Sequence, residues 1–232
     1  MFANFDFDVI VRSLPYLFLD GMTFTLTLTA LATLGGLVFG TLLAMMRLSG
    51  IALLSLPAAG YVNLMRSVPL VLMIFWFYFL VPYIGQWLTG AERPIQVGYF
   101  ASSLITFTLF EAAYFCEIMR AGIQSIPLGH IEAGRSCGMP EFLILRRIVL
   151  PQVVRRMLPE AINNFVSLFK ATTIVSLIAV PDLMYQVTMV IQQEMKPLPL
   201  YTSAALTYFA VIYVVAGLVR LASERWRNRI YA

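Results

Sequence analysis

Five ionisable residues stand inside long apolar runs of this chain: Arg66, Glu111, Glu117, Lys170 and Asp182. Charge buried in a low-dielectric run is costly, so such groups face a polar cavity, an ion partner or both. Arg66 comes three residues before Pro69, which can kink a helix and free a carbonyl. Lys170 is followed by "TTIVS", whose hydroxyls can line a polar path, and Glu111 lies in the middle of its run. Glu117 and Arg120 have the spacing of a local helical pair. Asp182, directly after Pro181, suits a helix cap. Arg66, Glu111 and Lys170 are therefore candidates for the lining of a polar pathway. The alternative is an ion-pair network that fixes packing without adding net stability.

A second chemistry-bearing stretch is "HIEAGRSCGMPEFLILRRIVLP", His130 to Pro151, which is polar, rich in arginine and bracketed by prolines. Pro127 fits the first turn of a helix, where a missing N–H costs nothing. A short helix is expected over 128–137, with Ile131 and Ala133 apolar and Glu132, Arg135 and Ser136 facing water or a partner. Gly138 is placed to end it in a left-handed conformation. Pro140 restarts a helix and Pro151 marks the next break. Two short helices with a tight corner are a different object from a Ser/Gly linker.

The elements that must position these groups are membrane spans. Hydrophobic residues make up 60% of the 232 positions and charged residues only 12%, about half the charge of a soluble domain. A bilayer core needs about 20 consecutive apolar residues per helix. Five runs qualify: Met22–Met46, Pro57–Val81, Gly98–Met119, Ala161–Val190 and Thr202–Leu221. They are continuous rather than alternating, which argues against a β-barrel. The fold class expected is all-α, one polytopic domain over 1–232 with five transmembrane helices.

Basic residues cluster beside particular span ends. Arg47 follows the first span, and Arg120, Arg135, Arg146, Arg147, Arg155 and Arg156 lie between the third and fourth. Arg220, Arg225, Arg227 and Arg229 follow the fifth, whereas the other side carries Arg12, Arg93 and Lys196. By the positive-inside rule the 120–160 loop and the C-terminus are cytoplasmic and the N-terminus is outside. The acidic N-terminal stretch is not a secretory signal and is expected to form a short external or interfacial helix. This placement of the charges also argues against nucleic-acid binding, which needs the basic residues on one soluble face.

Enzyme signatures are missing. Cys116 and Cys137 read as small apolar fillers in a reducing setting. His130 has no second ligand at metal spacing, so no metal is expected. No phosphate loop or nucleophile elbow is visible.

The loop spacing carries a resemblance. Glu132-Ala133-Gly134, three residues, Gly138, nine residues, Ile148, one residue, Leu150-Pro151 resembles the "EAA" loop of bacterial ABC importer permeases, with Gly134 where alanine is usual. "YVNLMRSVPLVLMIFWFYFLVP" is similar to the R-G-T-P-L-type second span of polar amino acid permeases, with Ser67-Val68 for Gly-Thr. "SLFKATTIVSLIAVPDLMYQ" resembles their K-D-T-S-L-V-S segment, with Ala171 for Asp. "FEAAYFCEIMRAGIQSI" is most like glutamate/aspartate permease subunits.

The resemblance implies a single ABC type-1 transmembrane domain in a bacterial inner membrane, with a cytoplasmic coupling loop over 127–151. The coupling residues would be Glu132, Ala133, Gly134, Gly138, Ile148, Leu150 and Pro151; Arg66, Glu111 and Lys170 would line the substrate pathway. Small residues at 133 and 134 would let the loop sit deep in a partner, and Glu132 would pair with a basic residue of that partner or with Arg135. The chain would dimerise with itself or a homologous permease. It would bind two cytoplasmic ATPase subunits, which hold ATP and Mg, and receive an amino acid from a periplasmic binding protein. No cofactor belongs to the chain itself. Glutamate or aspartate is the expected cargo, with basic or neutral polar amino acids as the alternative. An ion-driven secondary transporter would show inverted repeats, and a channel would show a filter motif; neither is evident.

Overall fold

The computed structural model describes residues 6–231, with side chains through Leu218, and every regular element among them is helical. Five helices are long and apolar enough to cross a membrane. In chain order the helices are α1 (Phe7–Leu48), α2 (Ala52–Ser67), α3 (Leu70–Thr89), α4 (Tyr99–Gln124), α5 (Leu128–Ser136), α6 (Glu141–Ile178), α7 (Leu183–Glu194) and α8 (Pro197–Tyr231). They form two compact units: residues up to Thr29 with those from Val166 onward, and residues Ala30–Phe165.

The N-terminal segment is not a separate short helix. It runs into the first span, so that α1 has 42 residues and a length of about 63 Å, twice the thickness of a bilayer core. Asp6 starts it, accepting hydrogen bonds from the amides of Asp8 and Val9 at 3.0 and 3.3 Å. Pro15 removes a donor inside the helix, and a π-helical stretch over Tyr16–Met22 follows it. A widened turn is one way a helix absorbs such a defect without ending.

Two runs read as single spans are divided. Pro57–Val81 breaks at Val68 and Pro69, both in extended backbone, between α2 and α3. Proline pushes the residue before it out of the helical region, and Leu72 and Met73 then donate to the Pro69 carbonyl. Ala161–Val190 breaks after Ile178, where α6 ends in a 3₁₀ turn and Ala179 is left-handed, with φ 56°. Asp182 then caps α7, its Oδ1 accepting from the Tyr185 amide at 2.8 Å. Conversely, Pro151 does not break its helix, because a π-helical turn over Leu145–Val149 carries α6 through it.

In the second unit, α1 crosses α4 on small residues. A Cβ at Gly36 would lie 2.5 Å from Glu111 Cβ, and one at Gly40 would lie 2.6 Å from Phe115 Cβ. Both pairs advance by four residues, so two backbones approach along one stripe. This is the usual way membrane helices gain contact where lipid is as apolar as protein. In the first unit, Gly21 does the same work against the α7 backbone, 2.7 Å from Leu183 Cα. Thr25, one turn on, accepts the Leu183 amide at 3.1 Å. The core of that unit joins Leu17, Met22, Phe169, Leu183, Val187 and Leu200.

Gly36→Leu and Gly40→Leu are expected to destabilise the protein by about 1–3 kcal/mol or more, the usual cost of overpacking. Gly60 has open space around its Cβ position, so Gly60→Leu serves as the control. Thermal unfolding in detergent should show a lower midpoint for the first two and an unchanged one for the third.

Candidate functional site

The polar corner is built as a closed unit. α5 begins after Pro127 and ends in paired backbone bonds: Gly138 N–H to Arg135 C=O at 2.9 Å and Met139 N–H to Gly134 C=O at 3.1 Å. This double bond is a Schellman cap and requires a left-handed residue at its centre. Gly138 supplies it, with φ 73°. Pro140 then opens the next helix, with the Leu143 and Ile144 amides donating to its carbonyl.

Gly134 does not face outward. It is buried, and a Cβ there would meet Ile144 Cγ1 and Ile148 Cδ1 at 3.0 Å. Its smallness therefore closes the chain's own corner, correcting the expectation that it lets a partner approach. Ile148, another residue of the spaced motif, is half of what it closes against. Glu132 and Ala133 are exposed, as are Leu128 and Phe142. Arg135 does not pair with Glu132 but with Glu141, Nε to Oε1 at 2.7 Å, across the corner. The Glu141 carboxylate holds the guanidinium above its ordinary pKa. Glu132 keeps its carboxylate outward, with no ion pair among the described residues. Leu150 is exposed and Pro151 half-buried.

The corner is tied to the spans beside it. Ile126, Val153 and Met157 form a buried cluster. Gly122 lets α6 press onto α4, its Cβ position 2.4 Å from Met157 Cγ. Arg156 donates to the Ser125 carbonyl at the end of α4, and His130 Nδ1 is 3.0 Å from Gln152 Oε1.

The charges inside the spans fall into separate settings. Glu117 is a hub: Arg47 bonds to Oε1, Arg120 Nη2 reaches Oε2 at 2.7 Å, and Arg66 Nη1 stands 3.7 Å from Oε1. Arg66 also lies 5.5 Å from the centre of the Tyr114 ring, within cation–π range. Glu111 is 3% exposed and accepts a hydrogen bond from Asn164 Nδ2. Arg66 and Glu111 are thus not brought together, since each has a different partner. Lys170 belongs to the other compact unit, where it is exposed near the end of α6. The local Glu117–Arg120 pair is present as its spacing implies. Arg47, Asn164 and Glu141 are the partners sequence reasoning passed over. For Asn164 a signal existed, since "AINNF" sets two amides in an apolar run.

The corner geometry makes a graded prediction. Gly134→Ala needs the two isoleucines to give only a few tenths of an ångström and should leave stability within about 1 kcal/mol, helped by alanine's helix propensity. Gly134→Leu and Gly138→Val should each cost about 1–3 kcal/mol, the first by overpacking and the second by its positive φ. Limited proteolysis after Arg135, Arg146 and Arg147 reports the loosening of the corner directly.

Three comparisons place this arrangement among known proteins. The model of the family "Binding-protein-dependent transport system inner membrane component" matches residues 36–228. The chain is 36% identical to the glutamate/aspartate import permease protein GltK of Escherichia coli O6:H1, covering 96% of this chain and 98% of that protein. It is 31% identical to the probable amino-acid ABC transporter permease protein YckA of Bacillus subtilis, over 97% and 96% of the two chains. Among solved structures it is similar to an amino acid ABC transporter crystallised with histidines, with a TM-score of 0.83, 30% identity and coverage of 95% and 98%. The fold, the membrane spans and these relatives together establish that the chain belongs to the amino acid ABC importer permeases, within the inner membrane components of binding-protein-dependent transport systems.

Proposed function

We propose that this permease carries glutamate or aspartate, delivered by a periplasmic binding protein, and that ATP is hydrolysed by two separate cytoplasmic ATPase subunits docked on the α5 corner. Residues 1–232 act as one type-1 transmembrane domain, paired with a second copy or a homologous permease. The exposed face of α5 is the observation that carries the reading. It presents Glu132 and Ala133 on a helix whose opposite face is fixed to Ile144 and Ile148. A rigid, polar, outward-facing helix anchored to two spans is suited to receive displacement from a moving partner. Glu132 is the docking charge and Ala133 the close-contact point; Gly134, Gly138, Ile148, Leu150 and Pro151 hold the shape. The chain needs no cofactor of its own.

The acidic cargo is supported by the similarity to the glutamate/aspartate permease and by two partly open cations. Arg66 retains 43% side-chain exposure despite its approach to Glu117, and Lys170 is exposed. A guanidinium can hold a carboxylate by two parallel bonds, and an ammonium adds a point charge. Glu111, closed off by Asn164, serves the pathway by holding α4 to α6 rather than by touching cargo. The alternative cargo, a basic or neutral polar amino acid, has support for its neutral form in the similarity to a probable glutamine permease.

Orientation is tested with single cysteines in a background free of Cys116 and Cys137. A cysteine at Thr89 should react with an impermeant thiol reagent from outside, and one at Ser136 only after the membrane is opened. The reverse pattern removes the N-outside topology.

Coupling and cargo are tested in proteoliposomes holding the permease with its ATPase, supplied with loaded binding protein. Glu132→Lys should insert normally and lose most substrate-stimulated ATP hydrolysis. Arg66→Ala and Lys170→Ala should assemble normally and weaken glutamate uptake by about 1–3 kcal/mol, the range of a charge-assisted bond. Import of arginine instead of glutamate, or normal uptake by both alanine variants, overturns the acidic assignment.

A further inference from the structure

The first compact unit contains a polar cleft that the pathway residues do not use. It has a volume of about 280 Å³ and lies between α1 and α7. The two helices meet at Gly21, where the Gln186 Cγ is 3.1 Å from the Cβ position. Toward the start of α1 the cleft opens between them. Arg12 and Tyr16 come from one wall; Gln186, Val190, Gln193 and Glu194 come from the other.

The chemistry of this lining is that of a zwitterion cradle. Arg12 brings a guanidinium whose Nε reaches the Asp8 carbonyl at 3.4 Å, which leaves its two terminal nitrogens without partners among the described residues. Glu194 brings a carboxylate from the opposite wall and makes no ion pair with Arg12 among the described residues. Between them two glutamine side chains offer both donors and acceptors, and Val190 gives an apolar wall. Opposite charges on facing walls that do not neutralise each other have unspent capacity for a ligand carrying both signs. The cleft sits just below the range of drug-sized pockets, so it suits a small molecule.

The cleft is also held in shape. The Asp6 carboxylate pairs with Lys196, joining the N-cap of α1 to the segment after α7. The Lys196 ammonium beside Asp6 holds its carboxyl below the usual carboxylate range. Met195, left-handed at φ 54°, ends α7 beside it.

We infer that the α1–α7 cleft is a binding subsite, separate from the transport pathway, for a free α-amino acid, its carboxylate on Arg12 and its ammonium on Glu194. This deepens the importer reading and rests on it for the choice of glutamate as the probe, and on the N-outside orientation for the cleft's access to the exterior. The side chain of the amino acid meets the two glutamines, so the subsite selects for the zwitterion more than for the cargo's own charge.

The test localises binding by protection of a thiol. Gln193→Cys is introduced in the full chain lacking its native cysteines, in membranes, and its rate of reaction with an impermeant thiol reagent is followed. Millimolar glutamate should slow the reaction at least threefold. N-acetylglutamate, which lacks the ammonium, should give no protection. Adding Arg12→Gln or Glu194→Gln should abolish protection by glutamate, each variant being scored against its own unprotected rate. Equal protection in those variants, equal protection by N-acetylglutamate, or none from glutamate overturns the subsite. Protection by the binding protein but not by free glutamate also overturns it, identifying the cleft as a protein-docking surface. Glutamate uptake by the assembled transporter is scored separately: protection without uptake faults the importer reading and keeps the subsite, whereas uptake without protection does the reverse.

Discussion

A polypeptide in hydrocarbon has no water to satisfy its backbone, so every departure from helix must be repaired by the protein itself. The breaks inside the two divided runs follow that constraint. Between α2 and α3, proline contributes no donor, and its carbonyl accepts from both Leu72 and Met73. Between α6 and α7, the Ala179 and Val180 amides turn back to Ser176 and Val175, and the Asp182 amide reaches Val180. The next donor, Leu183, is taken by the Thr25 hydroxyl of α1, and Tyr185 is taken by the Asp182 carboxylate. Irregular backbone thus appears where a side chain from another helix or a local cap can complete it. Gly21 belongs to the same solution, since Thr25 reaches the break only because α1 can lie against it.

The spaced motif of the corner makes physical sense as one object. Gly138 allows the reversal, the reversal brings Ile144 and Ile148 back over α5, and Gly134 is the hole they fill. The nine residues between Gly138 and Ile148 are what the second helix needs to return by that distance. Position 134 then tolerates only small residues for reasons internal to the chain, while the two residues before it stay exposed.

Much of this was legible from residue types. Spans are set by bilayer thickness and so by run length, and the Gly138 reversal was readable from a glycine between two helix-compatible stretches and a proline. The breaks at Val68 and Ala179 were hidden by runs that stay apolar across them, although Pro69 and Pro181 mark their places. Pro151 differs in the opposite sense: a π-helical turn precedes it and α6 runs on through it, as it also does through Pro159. Facing was the least legible property. Whether Gly134 points in or out is decided by Ile144 and Ile148. Likewise, the choice of Arg66 between Glu111 and Glu117 is decided by the way α2 packs on α4, and no local spacing encodes it.

The Glu117 hub carries a consequence for the order in which the protein is made. Arg47 precedes it by 70 residues, and Arg66 also leaves the ribosome before it. At about 5–20 residues per second, Arg47 waits roughly 4–14 s for its carboxylate. By the end of that interval the nascent chain holds two cations, Arg47 and Arg66, near the ends of its first helices with that counter-charge still unsynthesised. The Glu117–Arg120 pair is complete three residues later, whereas the approaches of Arg47 and Arg66 can close only once α4 exists. Sequence order, as much as distance, gives this cluster its value.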